Sequence, residues 1–211
     1  MSIEAAEKHL ATVEPKFAPL IQSHGSCVLV DEGDERTIYE ALMRAILFQQ
    51  LSGKAASTIR DRLYALFPEH PHPPHEKLAL LTVEEFRAVG VSRQKAGYLQ
   101  DLASKAPTIP TEEELHTLSD DDIIDRLVPI KGVGRWTVEM LLMFKLGRLD
   151  VLPVDDMGVQ EGVRRFYGLE KRPKRKEMEA LTETWRPYRS VGSWYMWRVC
   201  DDKTSLELAS K

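Results

Sequence analysis

The chain has 211 residues, 43% of them hydrophobic and 29% charged, the balance of a globular protein that can bury a real core. Its formal net charge of -4 argues mildly against a nucleic-acid partner, since such domains are often basic, although a global charge can hide a local patch. No apolar run approaches the roughly 18 residues of a membrane span, the N-terminus lacks the basic start and apolar stretch of a signal peptide, and Cys27 and Cys200 are too few for a disulfide framework, a zinc-ribbon cage or a four-cysteine iron-sulfur cluster. The expectation is a protein that stays where it is made, with both thiols reduced.

Helix signals run from end to end. Ser2 can cap "IEAAEKHLATVE", and "KFAPLIQSHG" closes on Gly25, a residue suited to a helix C-terminus. "SCVLVD" (26–31) is the one plausible strand, and it has no obvious partner. In "TIYEALMRAILFQQ" (37–50), Ile38, Leu42, Ala45 and Ile46 fall on one helical face, and the pattern resumes after Ser52 in "GKAASTIRDRLYALF".

The prolines of "PEHPHPPHE" (68–76) deny the backbone its donors and predict a loop. Its three histidines, His70, His72 and His75, invite a metal reading, but a solvated connector is preferred. The next helices, "TVEEFRAVG", "SRQKAGYLQDLASKA" and "SDDDIIDRLVPI", each open on Ser or Thr. "RWTVEMLLMFKLG" reads as a buried helix and leads into "VLPVDDMGVQEGVRRFYG". Pro173 and Pro187 bracket "KRKEMEALTETW" and "YRSVGSWYMWRV", and the tail "DDKTSLELASK" reads as frayed. The class is all-α with roughly ten helices. The chain reads as one helical unit over 1–211, with lobes 36–150 and 1–35 plus 151–211.

Two stretches carry chemistry. In "PIKGVGRW" (129–136), Pro129 ends a helix, Gly132 and Gly134 free the backbone to turn, and the next helix begins near Arg135. Exposed N–H groups on such a turn, backed by the positive end of a helix, make an anion site. Lys131 and Arg135 would add charge, though a tight helical hairpin without a ligand explains the same glycines. Downstream, "VLPVDDMGVQ" sets Asp155 and Asp156 ahead of a helix that either can cap. "EKRPKRKE" (170–177) clusters five basic residues, joined by Arg164 and Arg165; it is the one candidate for a broad positive patch and otherwise a solvated face.

The hairpin, "PVDDMG", "ALMRAILFQQLSGKAA" and "WRPYRSVGSWYMW" together resemble the helix-hairpin-helix DNA glycosylase superfamily, and within it the alkylpurine glycosylases of the DNA-3-methyladenine glycosylase II family. The similarity runs from about Ile38 to Val199. It implies two helical lobes, a helix-hairpin-helix over 121–147 and an active-site cleft between the lobes. It also implies a monomeric, monofunctional enzyme of base excision repair. Such an enzyme flips an alkylated purine of the 3-methyladenine or 7-methylguanine type from double-stranded DNA and hydrolyses its glycosidic bond, leaving an abasic site. The place of work would be the nucleoid of a bacterial cytoplasm or a eukaryotic nucleus, away from membranes.

Residue by residue, the resemblance implies Asp156 as the catalytic carboxylate, with Asp155 as runner-up and the preferred cap. A carboxylate suits the chemistry, because bond cleavage passes through an oxocarbenium-like sugar whose charge it can stabilise. A positively charged alkylpurine departs as a neutral base and needs no general acid. Trp136 stands where bifunctional relatives carry a nucleophilic lysine, which implies water as the nucleophile. Trp136, Trp197 and Met140 would line the base pocket, where a ring facing a charged base is worth about 0.5 to 2 kcal/mol. Trp185, Trp194 and Tyr188 read as ordinary core aromatics.

Leu51 would act as an apolar wedge in the minor groove, with Gln50 and Ser52 beside it. Lys131, Gly132, Val133, Gly134, Arg135 and Thr137 would grip a phosphate, and carbonyls near Ile130 and Val133 would bridge a monovalent cation, Na+ or K+. No other cofactor is implied, and the cysteine count excludes the branches that carry an iron-sulfur cluster. Two other readings stay open: a non-catalytic helix-hairpin-helix module that binds DNA without Asp156, and a glycosylase for oxidised or deaminated bases.

Overall fold

Hydroxyl and carboxylate side chains set where the helices begin in the computed structural model, which describes residues 2–30 and 33–201. Helix α1 (Ile3–Val13) starts where Ser2 accepts a hydrogen bond from Ala5 N–H, and α2 (Phe17–His24) stops at Gly25, whose φ of 74° suits glycine. Thr37 and Glu40 form a reciprocal capping box for α3 (Ile38–Phe48), and Ser52 caps α4 (Gly53–Tyr64). The short α5 (His75–Leu78) is followed by α6 (Val83–Ala88), boxed by Thr82 and Glu85, and by α7 (Arg93–Lys105), capped by Ser92. Thr111 and Glu114 box α8 (Glu112–Thr117), and Ser119 caps α9 (Asp120–Leu127). The set closes with α10 (Arg135–Phe144), α11 (Met157–Tyr167), α12 (Arg175–Leu181) and α13 (Arg189–Asp201). Each side-chain cap satisfies a donor that the helix cannot, a contribution of about 1 kcal/mol.

Among the described residues there are thirteen α-helices, two short 3-10 turns and no strand. The all-α class expected from the sequence holds, with more and shorter helices than periodicity suggested. No described helix is long and apolar enough to cross a membrane.

The chain divides into two compact units, residues 1–34 with 142–211, and residues 35–141, so that α10 runs from the second into the first. The first unit is built on an aromatic core. Phe17, Phe166, Trp185 and Tyr195 are all buried, and the Phe17 ring meets Trp185 edge-on at 5.2 Å and Phe166 at 4.9 Å. Trp185 donates its indole N–H to the Tyr167 hydroxyl at 3.2 Å, which settles the polar atom of a buried ring. α11 packs against α13 at very short range, because Gly162 lies where a Cβ would fall 2.1 Å from the Met196 carbonyl oxygen. In the second unit α3 packs on α7. Its buried face includes Ile38, Leu42 and Ile46, as the pattern implied, together with Met43 and Leu47, while Ala45 is only half-buried.

Two expectations change. Residues 26–30 form no strand: with no partner to complete a ladder, Cys27 N–H instead donates to Glu7 Oε1 at 2.7 Å, and burial pushes the Cys27 thiol up to about 12. Asp31 and the tail beyond Asp201 lie outside the described residues. The proline-rich loop is anchored rather than merely solvated. His72 Nδ1 pairs with the buried Glu40 carboxylate, His70 Nε2 lies 2.9 Å from Lys77 Nζ, and His75 and Glu76 already belong to α5. No described group of three or more His, Cys, Asp or Glu is placed to hold a metal ion.

On α11, Glu161 gathers the arginines around it. It accepts from Arg164 at 2.9 Å and from Arg165 at 2.7 Å, and Arg172 lies 3.8 Å away. The Arg164 hydrogen bond, reinforced by Arg165 and outweighing partial burial, holds the Glu161 carboxyl at about 2. A folded-state value below the unfolded one stabilises the protein above the ordinary range, and that contribution fades as pH falls. Urea unfolding of Glu161→Gln should therefore show a flatter dependence on pH than wild type between 4.5 and about 2. Independently, Gly162→Ala should cost roughly 2 to 3 kcal/mol at neutral pH, because the added methyl forces α11 away from α13. An unchanged urea midpoint would show that the two helices can part without loss.

Candidate functional site

The candidate residues fall into two groups, one in each unit. In the second unit the hairpin joins α9 to α10. Ile130 N–H donates to Leu127 O at 3.1 Å and Val133 N–H to Ile130 O at 3.0 Å, so the turn closes on itself. Gly132 sits at φ 82°, and a Cβ there would fall 2.4 Å from the Tyr98 ring, so both the turn and the approach of α7 require glycine. Past Gly134, which is exposed, α10 begins at Arg135, and Val138 N–H donates to Gly134 O at 3.2 Å. The turn leads straight into a helix N-terminus, the setting in which backbone N–H groups can meet an anion.

The charges around that turn are partly neutralised. Lys131 N–H donates to Asp101 Oδ2 at 2.8 Å, so this backbone donor is already committed, and its exposed ammonium lies 3.8 Å from Asp101 Oδ1. Arg135 pairs with Glu139 at 3.1 Å and with Asp121 at 3.5 Å. Burial pulls the Asp101 carboxyl upward, but hydrogen bonds from Lys105 and Lys131 N–H, with their charges, outweigh it and hold the carboxyl below its ordinary value. Val133 and Thr137 have buried side chains, which leaves only their backbone as a contact.

Trp136 is 47% exposed and stands outside the buried core. Met140, half-buried, follows one turn later on the same face. The turn after α3 presents Leu51, a large apolar side chain that is 41% exposed, behind Gln50 at φ 56°. Ser52 uses its hydroxyl to accept from Ala55 N–H.

In the first unit, Asp156 rather than Asp155 caps α11. Its Oδ1 accepts from Val159 N–H at 2.8 Å and from the Trp197 indole N–H at 2.9 Å. The assignment of the cap to Asp155 is therefore corrected: the helix begins at Met157, so the capping position falls on the second aspartate. Asp155 is exposed and pairs with Arg175 at 2.5 Å. Gly158 admits the Trp197 ring, since a Cβ there would lie 2.8 Å from the indole, and the far side of that ring leans on Phe144 with centroids 5.7 Å apart. Two donors on one oxygen fix the plane of the Asp156 carboxylate. Of the basic run, Arg172 and Arg175 have acidic partners, as do Arg164 and Arg165. Trp185 and Trp194 are buried, as expected of core aromatics, and Tyr188 is half-buried.

Sequence reasoning did not find the Trp197 hydrogen bond, nor the three residues of α7, Lys95, Tyr98 and Asp101, that touch the hairpin and the Leu51 turn. Nothing in the local pattern marks them, because their partners lie 30 to 48 residues away in the chain.

Comparison with known proteins agrees with this geometry. Residues 43–187 match the model of the HhH-GPD superfamily base excision DNA repair proteins. The chain is 36% identical to DNA-3-methyladenine glycosylase 1 of Schizosaccharomyces pombe, over 94% of this chain and 88% of that one. It is 34% identical to the alkylbase DNA glycosidase-like protein mag2 of the same yeast, over 92% of each. Among solved structures, that of the S. pombe 3-methyladenine DNA glycosylase Mag1 in complex with abasic DNA superposes with a TM-score of 0.80 at 35% identity, covering 92% of this chain and 95% of that one. The chain belongs to the HhH-GPD superfamily of base excision DNA repair proteins.

Proposed function

We propose that this protein is a monofunctional DNA glycosylase that excises alkylated purines from double-stranded DNA. The observation that carries the reading is the Asp156 carboxylate, held in one orientation by the α11 cap and by Trp197. The bond between C1′ and a cationic alkylpurine breaks with its electron pair leaving on the base, so the positive charge passes to the sugar at C1′, where a preorganised carboxylate stabilises it without having to reorient. Water then adds to C1′ and gives its proton to the Asp156 carboxylate, which passes it to solvent, and an abasic site is left. The damaged base itself departs neutral, so no proton need be delivered to it.

The remaining roles follow from exposure and chemistry. Trp136, 47% exposed, brings an aromatic ring suited to a cationic base. Trp197 acts through its N–H, setting the plane of Asp156. Leu51 enters the duplex where the nucleotide leaves it, and the Gly132–Gly134 turn holds a phosphate. The same turn presents the carbonyls of Ile130 and Val133, hard neutral oxygens suited to Na+ or K+, and Ile130 O keeps a second lone pair beside its bond to Val133 N–H. A cation there would neutralise part of the phosphate charge.

Chromatography of the bases released from methylated duplex DNA tests the reading. Wild type should release 3-methyladenine and 7-methylguanine, Asp156→Asn should lose at least about 10²-fold in single-turnover rate while keeping its DNA affinity, and Asp155→Asn should stay within about threefold. A fully active Asp156→Asn removes the assignment. Borohydride should trap no covalent protein–DNA adduct, because Trp136 cannot form a Schiff base. A robust adduct would mean a lysine nucleophile and overturn the monofunctional reading.

A further inference from the structure

Helix α7 presents Lys95, Tyr98 and Asp101 along one i+3 ridge, and each reaches an element assigned above to DNA. Lys95 Nζ donates to Leu47 O at 2.6 Å and to Gln49 O at 2.7 Å, so one ammonium holds the end of α3 and the turn that carries Leu51. From that turn Gln49 Nε2 donates to Gly132 O at 2.7 Å, inside the hairpin. Tyr98 abuts Gly132 directly, braced by a 2.7 Å hydrogen bond from Gln94 to its hydroxyl, and Asp101 takes Lys131 N–H.

These contacts matter because the Leu51 turn is strained. Gln50 has a left-handed φ of 56°, which a non-glycine residue keeps only when its surroundings impose it. The Lys95 ammonium fixes the carbonyl just before Gln50, and the Gln49 amide ties the same residue to the hairpin. The turn and the hairpin lie 83 residues apart in the chain, yet they share one rigid helix.

We infer that Lys95 and Gln49 are positioning residues, which lock the Leu51 turn at a fixed offset from the hairpin so that phosphate grip and wedge insertion occur as one event. The inference rests on the assignment of Leu51 and the hairpin to DNA. Lys95 touches no nucleotide in this scheme; its effect passes through Leu51.

A double-mutant cycle on affinity tests it, using fluorescence anisotropy with a duplex that carries a stable abasic-site analogue. Lys95→Met, which keeps the stem and removes the ammonium, should weaken binding about tenfold in the wild-type background and less than about twofold when Leu51 is already alanine. Gln49→Met should show the same pattern and serves if Lys95→Met fails to fold, which thermal unfolding reports. Equal losses in both backgrounds, or no loss in either, would overturn the inference, because a merely structural defect is indifferent to Leu51. Base release is measured in parallel: coupling with no release by wild type leaves the inference standing and removes the enzymatic reading, whereas release with an additive cycle does the reverse.

Discussion

A chain of short helices is governed by what happens at helix ends. Every helix leaves backbone donors at one terminus and acceptors at the other without an internal partner, and burying such a group unpaired costs more than most single contacts return. Most N-termini here are settled locally by a Ser, Thr or Asp one residue ahead of the helix, as at Ser2, Thr37, Ser92 and Ser119. The ends settled from a distance are different in kind. The carbonyls at the close of α3 take a lysine from α7, and the backbone of the hairpin takes an aspartate from the same helix. Each of these two fixes two segments against each other, one of them an element proposed to meet DNA, whereas Arg165 and Tyr167 settle the ends of α13 and α12 within the first unit.

Asp156 shows how one end group can serve both folding and chemistry. As the cap of α11 it cannot leave its position without exposing Val159 N–H, so the fold itself holds the carboxylate where the proposed reaction needs it. The Trp197 indole adds a second donor from α13, and that donor is in reach because Gly158 leaves room for the ring and Gly162 lets the two helices approach. Two glycines, a cap and a tryptophan thus form one device. The cost of preorganising the charge is met in folding, ahead of any substrate.

What the sequence revealed follows the same division between local and remote. Helix starts were legible because a hydroxyl three residues ahead of a glutamate satisfies donors within a single turn, and Thr37 with Glu40 is such a pair. The glycine turn was legible for the same reason, since its character is set by neighbours in the chain, whereas the weight placed on Trp136 came from the family resemblance. The choice of cap between Asp155 and Asp156 went wrong because it depends on where α11 starts, which the packing of Gly158 on Trp197 decides. The strand expected at 26–31 was a local apolar pattern without a partner, and Glu7, twenty residues upstream of Cys27, instead accepts from the Cys27 N–H and from the Ser26 hydroxyl. Lys95 and Gln49 carried no signal at all, since a lysine on an amphipathic helix reads as solvent-facing until its carbonyl partners are known.

The net charge of -4 reflects 33 acidic against 29 basic residues, and many of the arginines face a carboxylate directly. Arg135, Arg164, Arg165, Arg172, Arg175, Arg186 and Arg189 each lie within ion-pairing distance of one, which locally offsets their positive charge. In the function proposed above, local grip falls to what net charge does not count: the N–H groups and dipole at the start of α10, set by a turn that Gly132 makes possible and that α7 holds in place. That arrangement favours a few oriented contacts over diffuse attraction. It suits the proposed positioning of a single nucleotide better than the coating of a duplex.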